Sequence, residues 1–243
     1  QLPDKFVLDC TNYSKFKGKN LLIKKTTVSI NSTGCAPMVF GHLFITDGGV
    51  LNHSPYDVKT KKVQSLDLDL ASVWIDTGAK IDVSGKGYIK YQTAEGLKGA
   101  GGYGGGSHGG RGGLSTVSGQ AFDDMTNPRQ CGGGGGSSLG GVGGGVVRLL
   151  VRAGGKLVVH GSILANGVNS SYGGGAGGAI RLHGPEIGGL GTIRADGGYG
   201  WKSKYGSAGG GGGGRIAITG RAVATGTFDV QERPLTKALL SAK

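Results

Sequence analysis

The chain has 243 residues, 55 of them glycine, a share more than three times the usual ~7%. Without a strict G-X-Y period this excludes collagen, and with 37% hydrophobic residues the chain has enough apolar material to build a core. A formal net charge of +12 favours acidic partners such as polyanionic glycans, nucleic acid, anionic lipid heads or mineral surfaces, and no run approaches the ~20 apolar residues of a membrane span.

In chain order, short alternating strands come first. LLIKKTTVSINSTG from Leu21 and GHLFITDGGVLNHS from Gly41 keep a short-strand rhythm without glycine tracts. LDLDLASVWIDTGAKIDVSGKGYI from Leu66 reads as strand, polar break, strand. An insertion over 90–130, carrying GAGGYGGGSHGGRGG, reads as a projecting loop. Three similar blocks follow, opening at Gly143, Gly174 and Gly209. Each runs from glycines into a first strand (VRLLV, AIRLH, RIAIT) and then a second (GSILANG, GTIRADG, GTFDVQ). Val147, Ile180 and Ile216 match in the first strand, and Ile163, Ile193 and Phe228 in the second, with Ile81 equivalent to Ile163 in the earlier copy. A second projecting loop is expected at 198–208, and LTKALLSAK after Pro234 is the one segment that reads as a short helix or strap.

A repeat of about 30 residues with short strands is the mark of a solenoid, in which coils that cannot bury an apolar face alone stack into one column. The expectation is therefore a single all-β domain over 1–243: N-terminal coils at 1–65, glycine-rich repeats at 66–230 and a tail at 231–243. Period 2 sends Val147, Leu149, Val151, Ile180, Leu182, Ile216 and Ile218 of the first strands and Ile163, Ala165, Ile193, Ala195, Phe228 and Val230 of the second inward, and Arg148, Arg181 and Arg194 outward. The glycine tracts recur just before the first strand of each block, a register that a linker would not keep. They are read as packed corners or layers.

Four of the seven asparagines, Asn12, Asn31, Asn52 and Asn169, sit in N-x-[ST] sequons. Sequons have meaning in secreted chains, so a secreted, extracellular glycoprotein is expected. The opening at Gln1, without Met, reads as a processed or trimmed form. Cys10 and Cys35 are spaced to close a loop, leaving Cys131 as a buried thiol, an intermolecular partner or an alternative partner for either. No CxxC or Cys/His spacing for zinc is present.

The order IDVSGKGY, GGYGGGSHGGRGG, CGGGGGSSLGGVGGG, GSILANG, GGGAGGAIRL, GTIRADGGYG and GGGGGGRIAI resembles a family of glycine-rich secreted or cell-surface proteins of plants, marine animals and bacteria. They share successive IxAxGG…GGGGGGRI blocks, and the resemblance spans roughly residues 78–219. It implies a right-handed parallel β-helix-like fold and extracellular placement. It carries no established activity and no catalytic residues.

Candidate chemistry divides three ways. Arg148, Arg181 and Arg215 fall near equivalent positions on successive blocks and would form a basic ladder suited to sulfates or carboxylates. Tyr199, Trp201, Lys202, Lys204 and Tyr205 form an aromatic and basic cluster suited to sugar rings and polyanions, as do Tyr88, Lys90 and Tyr91. Asp67 and Asp69 share one strand face, followed by Asp76 and Asp82, the pattern a polysaccharide-cleaving enzyme would need. Nothing marks a catalytic triad, a metal site or a cofactor site, and Asp123 and Asp124 read as turn residues. The expected function is a structural, matrix or adhesive protein whose partners are itself, in a homo-oligomer or fibre, or an acidic polysaccharide or other polyanionic surface. Nucleic acid is disfavoured. The alternative is a polysaccharide-binding or polysaccharide-cleaving protein.

Overall fold

A computed structural model of the chain describes residues 5–113, 118–203 and 206–223. Lys204, Tyr205, the strand expected around Phe228 and the tail after Pro234 lie outside the described residues. Along the chain run β1 (Lys5–Asp9), β2 (Leu21–Lys24), β3 (Thr27–Asn31), β4 (Met38–Val39), β5 (His42–Thr46), β6 (Val50–His53), β7 (Leu66–Leu70), β8 (Ser72–Ile75) and β9 (Lys80–Asp82). After a long interval without strands come β10 (Val146–Val151), β11 (Lys156–Val159), β12 (Ser162–Leu164), β13 (Ala179–Gly188), β14 (Thr192–Arg194), β15 (Lys202–Ser203), β16 (Gly206–Ser207) and β17 (Arg215–Ala222). A single 3-10 turn at Tyr13–Lys15 is the one helical element among the described residues. No helix there is long and apolar enough to cross a membrane.

Period-2 alternation sets which side chains meet. In the six-stranded sheet β1-β3-β6-β9-β12-β14, parallel pairing stacks Phe6, Val28, Leu51, Ile81, Ile163 and Ile193 into one column. In the nine-stranded sheet, Met38, Leu68, Leu149, Leu182 and Ile218 form a second column. Ile23, Ile45, Ile75 and Val159 form a third. These columns merge into one buried core, except that Ile218 and its neighbour Ile216, expected to point inward, are 51% and 44% exposed in β17 at the edge of the sheet. Tight turns join the strands, with left-handed glycines at Gly78 between β8 and β9 and Gly154 between β10 and β11. A disulfide joins Cys10 and Cys35 beside β1, closing a loop of 25 residues, and Cys131 is a buried free thiol. In the chain-entropy picture such a loop contributes about 3 kcal/mol.

The all-β character stands, but the right-handed β-helix does not. The parallel sheets curl into a half-barrel. A β-helix adds a strand to each wall with every coil, whereas the described residues of the interval 83–145 add none. Across it β7 pairs directly with β10, and β9 with β12. The ten-residue β13 pairs first with β10 and then with β11, fusing what would be two walls into one. The side left over is not a sheet.

That side is a bundle of glycine segments, which corrects the reading of the tracts as corners or layers of a β-helix. Successive N–H groups from Gly174 donate to Gly209, Val168, Gly133, Gly212, Ala165 and Gly145. Residues three apart therefore face the same neighbour. Gly174 and Gly177 go to 209 and 212, and Gly175 and Gly178 to 168 and 165. The same spacing takes Gly209 and Gly212 to Tyr103 and Gly106, and Gly133 and Gly136 to Ser107 and Gly104. A β-strand sends its N–H groups in two directions. Three directions at period three are those of a polyproline-II-type backbone, which has three residues per turn and no internal hydrogen bonds. None of the glycines at 104–113, 132–145, 173–178 and 209–214 has a left-handed φ. Glycine is required there for close approach: a Cβ on Gly144 would lie 1.9 Å from the Ala165 carbonyl oxygen, and one on Gly105 1.9 Å from that of Gly210.

The two expected projecting loops are corrected accordingly. Gly104–Gly113 lie within the bundle, and the chain from Phe122 to Gln130 folds back over β10, β13 and β17. At 198–208 the chain does reverse, β15 against β16, yet Gly198 exchanges hydrogen bonds with Gly175 and Gly211 inside the bundle.

Bundle and sheets meet at His53. Its ring is fully buried, Nε2 accepts the Val146 N–H at 3.0 Å, and Nδ1 donates to the Ser54 carbonyl at 2.6 Å. This fixes the neutral Nδ1–H tautomer. Burial lowers the imidazole from 6.5 to about 4, helped by Lys86 and opposed by the bond to Ser54.

Two predictions test this architecture. Gly144→Ala should cost about 2–3 kcal/mol in denaturant unfolding, whereas Gly213→Ala, whose Cβ meets nothing within 4 Å, should stay within about 0.5 kcal/mol of the parent. Because His53 binds its proton more weakly folded than unfolded, its contribution is fully present above pH 6.5 and falls away toward pH 4. The unfolding free energy should drop by about 3 kcal/mol over that window, and His53→Gln should flatten the slope.

Candidate functional site: an arginine pocket under a strap

On the outer face of the nine-stranded sheet, register places Asp67, Arg148, Arg181 and Ala217 on one rung across β7, β10, β13 and β17. Arg215 pairs with Ala179, two positions away, so the expected three-arginine ladder has two members in register. Arg148 is only 8% exposed although it faces away from the core, because the segment Phe122–Cys131 covers it. Its Nη1 donates to Asp67 and its Nη2 to Asn127 Oδ1 at 3.1 Å. Arg181 Nη1 donates to the same Asn127 oxygen at 2.8 Å. Arg215 Nε donates to the Phe122 carbonyl at 2.8 Å. One strap thus gathers all three candidate arginines.

The strap owes its shape to two aspartates. Asp124 Oδ1 accepts from Thr126 N, Thr126 Oγ1 and Asn127 N, each at 2.7 Å, a local Asx turn that presents Asn127. Asp123, held at φ +73°, accepts from His108 Nε2 at 3.1 Å and from the backbone N–H groups of Asp124, Arg129 and Gln130. His108 is fully buried, and its Nδ1 bonds the Gly177 carbonyl at 2.9 Å inside the glycine bundle. Burial works to raise the Asp123 carboxyl, but the hydrogen bonds from His108, Gln130, Arg129 and Asp124 outweigh it and hold it below the ordinary range.

Beneath the strap lies a pocket of about 270 Å³ lined by Asp67, Arg129, Arg148, Arg181 and His183 together with Pro37, Leu149 and Leu150. Three guanidinium groups face one carboxylate, an excess of two positive charges. Burial pushes the Arg148 guanidinium below its ordinary value and Arg129 and Arg181 add to this, against the pull of Asp67. Arg148 Nε, Arg181 Nε and His183 Nδ1 are buried without a hydrogen-bond partner, a concentration of unpaired polar atoms that calls for an explanation. An anionic group in the pocket would balance the charge in a setting of low dielectric.

The acidic ladder resolves differently. Asp67 is paired with Arg148, Asp69 lies 3.4 Å from Arg152, Asp76 accepts from the Trp74 indole and Asp82 is 2.8 Å from Lys80. Each carboxylate faces a donor rather than another carboxylate. Tyr199 and Trp201 are 77% and 59% exposed on the far reversal, anchored through Asn169 Oδ1 and the Ala208 N–H and not to the arginines. Lys202 lies in β15 beside them. Among the sequons, Asn169 is exposed, and Asn12, Asn31 and Asn52 are half-buried, with side-chain oxygens bonded to Asp9 N, Thr33 N and Ser29 Oγ.

Reading the sequence misses Asn127, Arg129, His108 and His183 as site residues. The run DDMTN signals an Asx turn, but nothing local signals that it closes over strands 20 and more residues away. Asp123→Asn should cost about 2–4 kcal/mol, since it weakens a buried acceptor of four donors. Thermal unfolding should record the loss. Compared with family models, curated proteins and solved structures, the chain matches none.

Proposed function

We propose that this protein is an extracellular matrix or adhesive component that holds acidic polysaccharide in the arginine pocket. The observation that carries the reading is the excess of two positive charges where Arg129, Arg148 and Arg181 line one pocket with Asp67, which is paired with Arg148. Guanidinium groups suit carboxylate and sulfate because their planar fork of donors matches two acceptor oxygens. The net charge of +12 brings a polyanion to the surface, and the pocket selects where its acidic groups lodge. The frame is stiff at the site, because the strap is tied to β10, β13 and β17 by side chains and to the glycine bundle through His108. An adhesive contact benefits from such preorganisation, since little ordering remains to be done on binding. Placement outside the cell accords with the Cys10–Cys35 disulfide and the four sequons.

Retention on immobilised heparin and on polygalacturonate tests the reading. Replacing Arg129 and Arg181 by Gln leaves the Asp67–Arg148 pair intact and should weaken binding at least about tenfold, roughly 1.4 kcal/mol. Replacing the exposed Lys15 and Lys17 by Gln removes the same charge elsewhere and should change retention little. Equal losses in the two double variants would reduce the interaction to general charge and overturn the pocket.

A further inference from the structure

A larger cleft, about 720 Å³, opens on the other side of the strap between segments 56–63 and 88–97. Its character is opposite to that of the arginine pocket. One Lys61 and one Glu95 line it, so its walls carry no excess charge. Three tyrosines, Tyr56, Tyr88 and Tyr91, supply aromatic surface. Tyr56 and Tyr88 pack edge to face with ring centroids 5.2 Å apart, and Tyr91 stands 50% exposed at the rim. Tyr88 Oη donates to Gln130 Oε1 at 3.1 Å, which fixes that amide with its nitrogen as donor.

Two further features set this cleft apart. Gln92 lines it with a buried side-chain oxygen that has no donor. Lys61 and Tyr91, on its opposite segments, both hold left-handed φ angles, +55° and +64°. Such conformations cost about 1–3 kcal/mol each in non-glycine residues and persist where the surroundings impose them. Burial raises the hydroxyls of Tyr56 and Tyr88, so both stay neutral donors well above neutral pH.

An uncharged cleft with aromatic walls, neutral hydroxyls and amide groups fits a ligand that is itself uncharged. That ligand needs a flat apolar face and several hydroxyl groups. We propose that the tyrosine cleft binds a ring of a neutral saccharide, stacked on Tyr91 and hydrogen-bonded by Gln130. Consecutive residues of one strap, Arg129 and Gln130, line the arginine pocket and the tyrosine cleft respectively. The cleft proposal stands independently of the acidic-polymer reading.

The test is titration of the full chain with cellohexaose, xylohexaose and mannohexaose, followed by calorimetry and by the tyrosine ring signals in NMR. At least one should bind saturably with a millimolar or tighter Kd and shift those signals. Tyr91→Ala should weaken binding about five- to tenfold. Gln130→Leu should weaken it similarly, whereas Gln92→Leu, which removes a buried acceptor out of a ligand's reach, should leave affinity within about twofold. The Arg129→Gln, Arg181→Gln double variant should retain the neutral sugar. Absence of saturable binding to all three oligosaccharides would overturn the proposal. So would binding indifferent to Tyr91 and Gln130, or binding lost with the arginines.

Discussion

Everything in this molecule hangs on the absence of a Cβ where backbones cross. In the glycine bundle the segment 174–179 gives its N–H groups to neighbours in three directions, and at most of the bundle's glycines the place where a methyl group would go is occupied by a carbonyl of the next segment. That packing carries a dependency outward. His108 is oriented by Gly177 within the bundle, Asp123 by His108, the strap by Asp123, and Arg148, Arg181 and Arg215 by the strap. At the other margin, Gly145 leaves just enough room for His53 to receive the N–H that begins β10. A backbone lattice with almost no side chains of its own therefore positions the charged groups of the surface.

The arginine cluster is electrostatically unbalanced, with three guanidinium groups and one carboxylate lining the same pocket. Burying a guanidinium costs several kcal/mol unless it is paired and hydrogen-bonded. Arg148 meets both conditions through Asp67 and Asn127, whereas Arg181 has a neutral amide and two like-charged neighbours. The strap thus holds positive groups closer together than they would sit if free. An incoming anion relieves that repulsion, and a site of this kind discriminates by charge before it discriminates by shape. The tyrosine cleft on its other side works the other way, by aromatic contact and neutral hydrogen bonds.

The strand columns could be read in advance from alternation alone. Val147, Leu149, Ile180 and Leu182 are buried in the registers that the matched repeats imply, and Ile81 does stack on Ile163. Ile216 and Ile218 follow the same pattern and pair with Ile180 and Leu182, yet remain 44% and 51% exposed in β17 at the edge of the sheet. Periodicity reports which residues share a face, not where the stack stops. The half-barrel was hidden for a related reason: β13 serves both walls, and its ten-residue length is masked by Gly184, Pro185 and Gly188. A homopolymeric glycine run offers no side-chain pattern, so its period of three emerges only from the hydrogen bonds. Arg148 and Arg181 were visible as a pair, but their burial depends on a strap more than 20 residues earlier in the chain, folded by contacts to His108 and Gly177 that no local signal announces.

The two halves of the fold also differ thermodynamically. Unfolding the sheets exposes leucine, isoleucine and valine, whose hydration raises the heat capacity. Unfolding the glycine bundle exposes mainly peptide groups, whose hydration lowers it. The two contributions offset each other. The chain should therefore have a smaller heat-capacity increment than its length implies and a broad, shallow dependence of stability on temperature, with less weakening in the cold than a core of the same size made of apolar side chains alone.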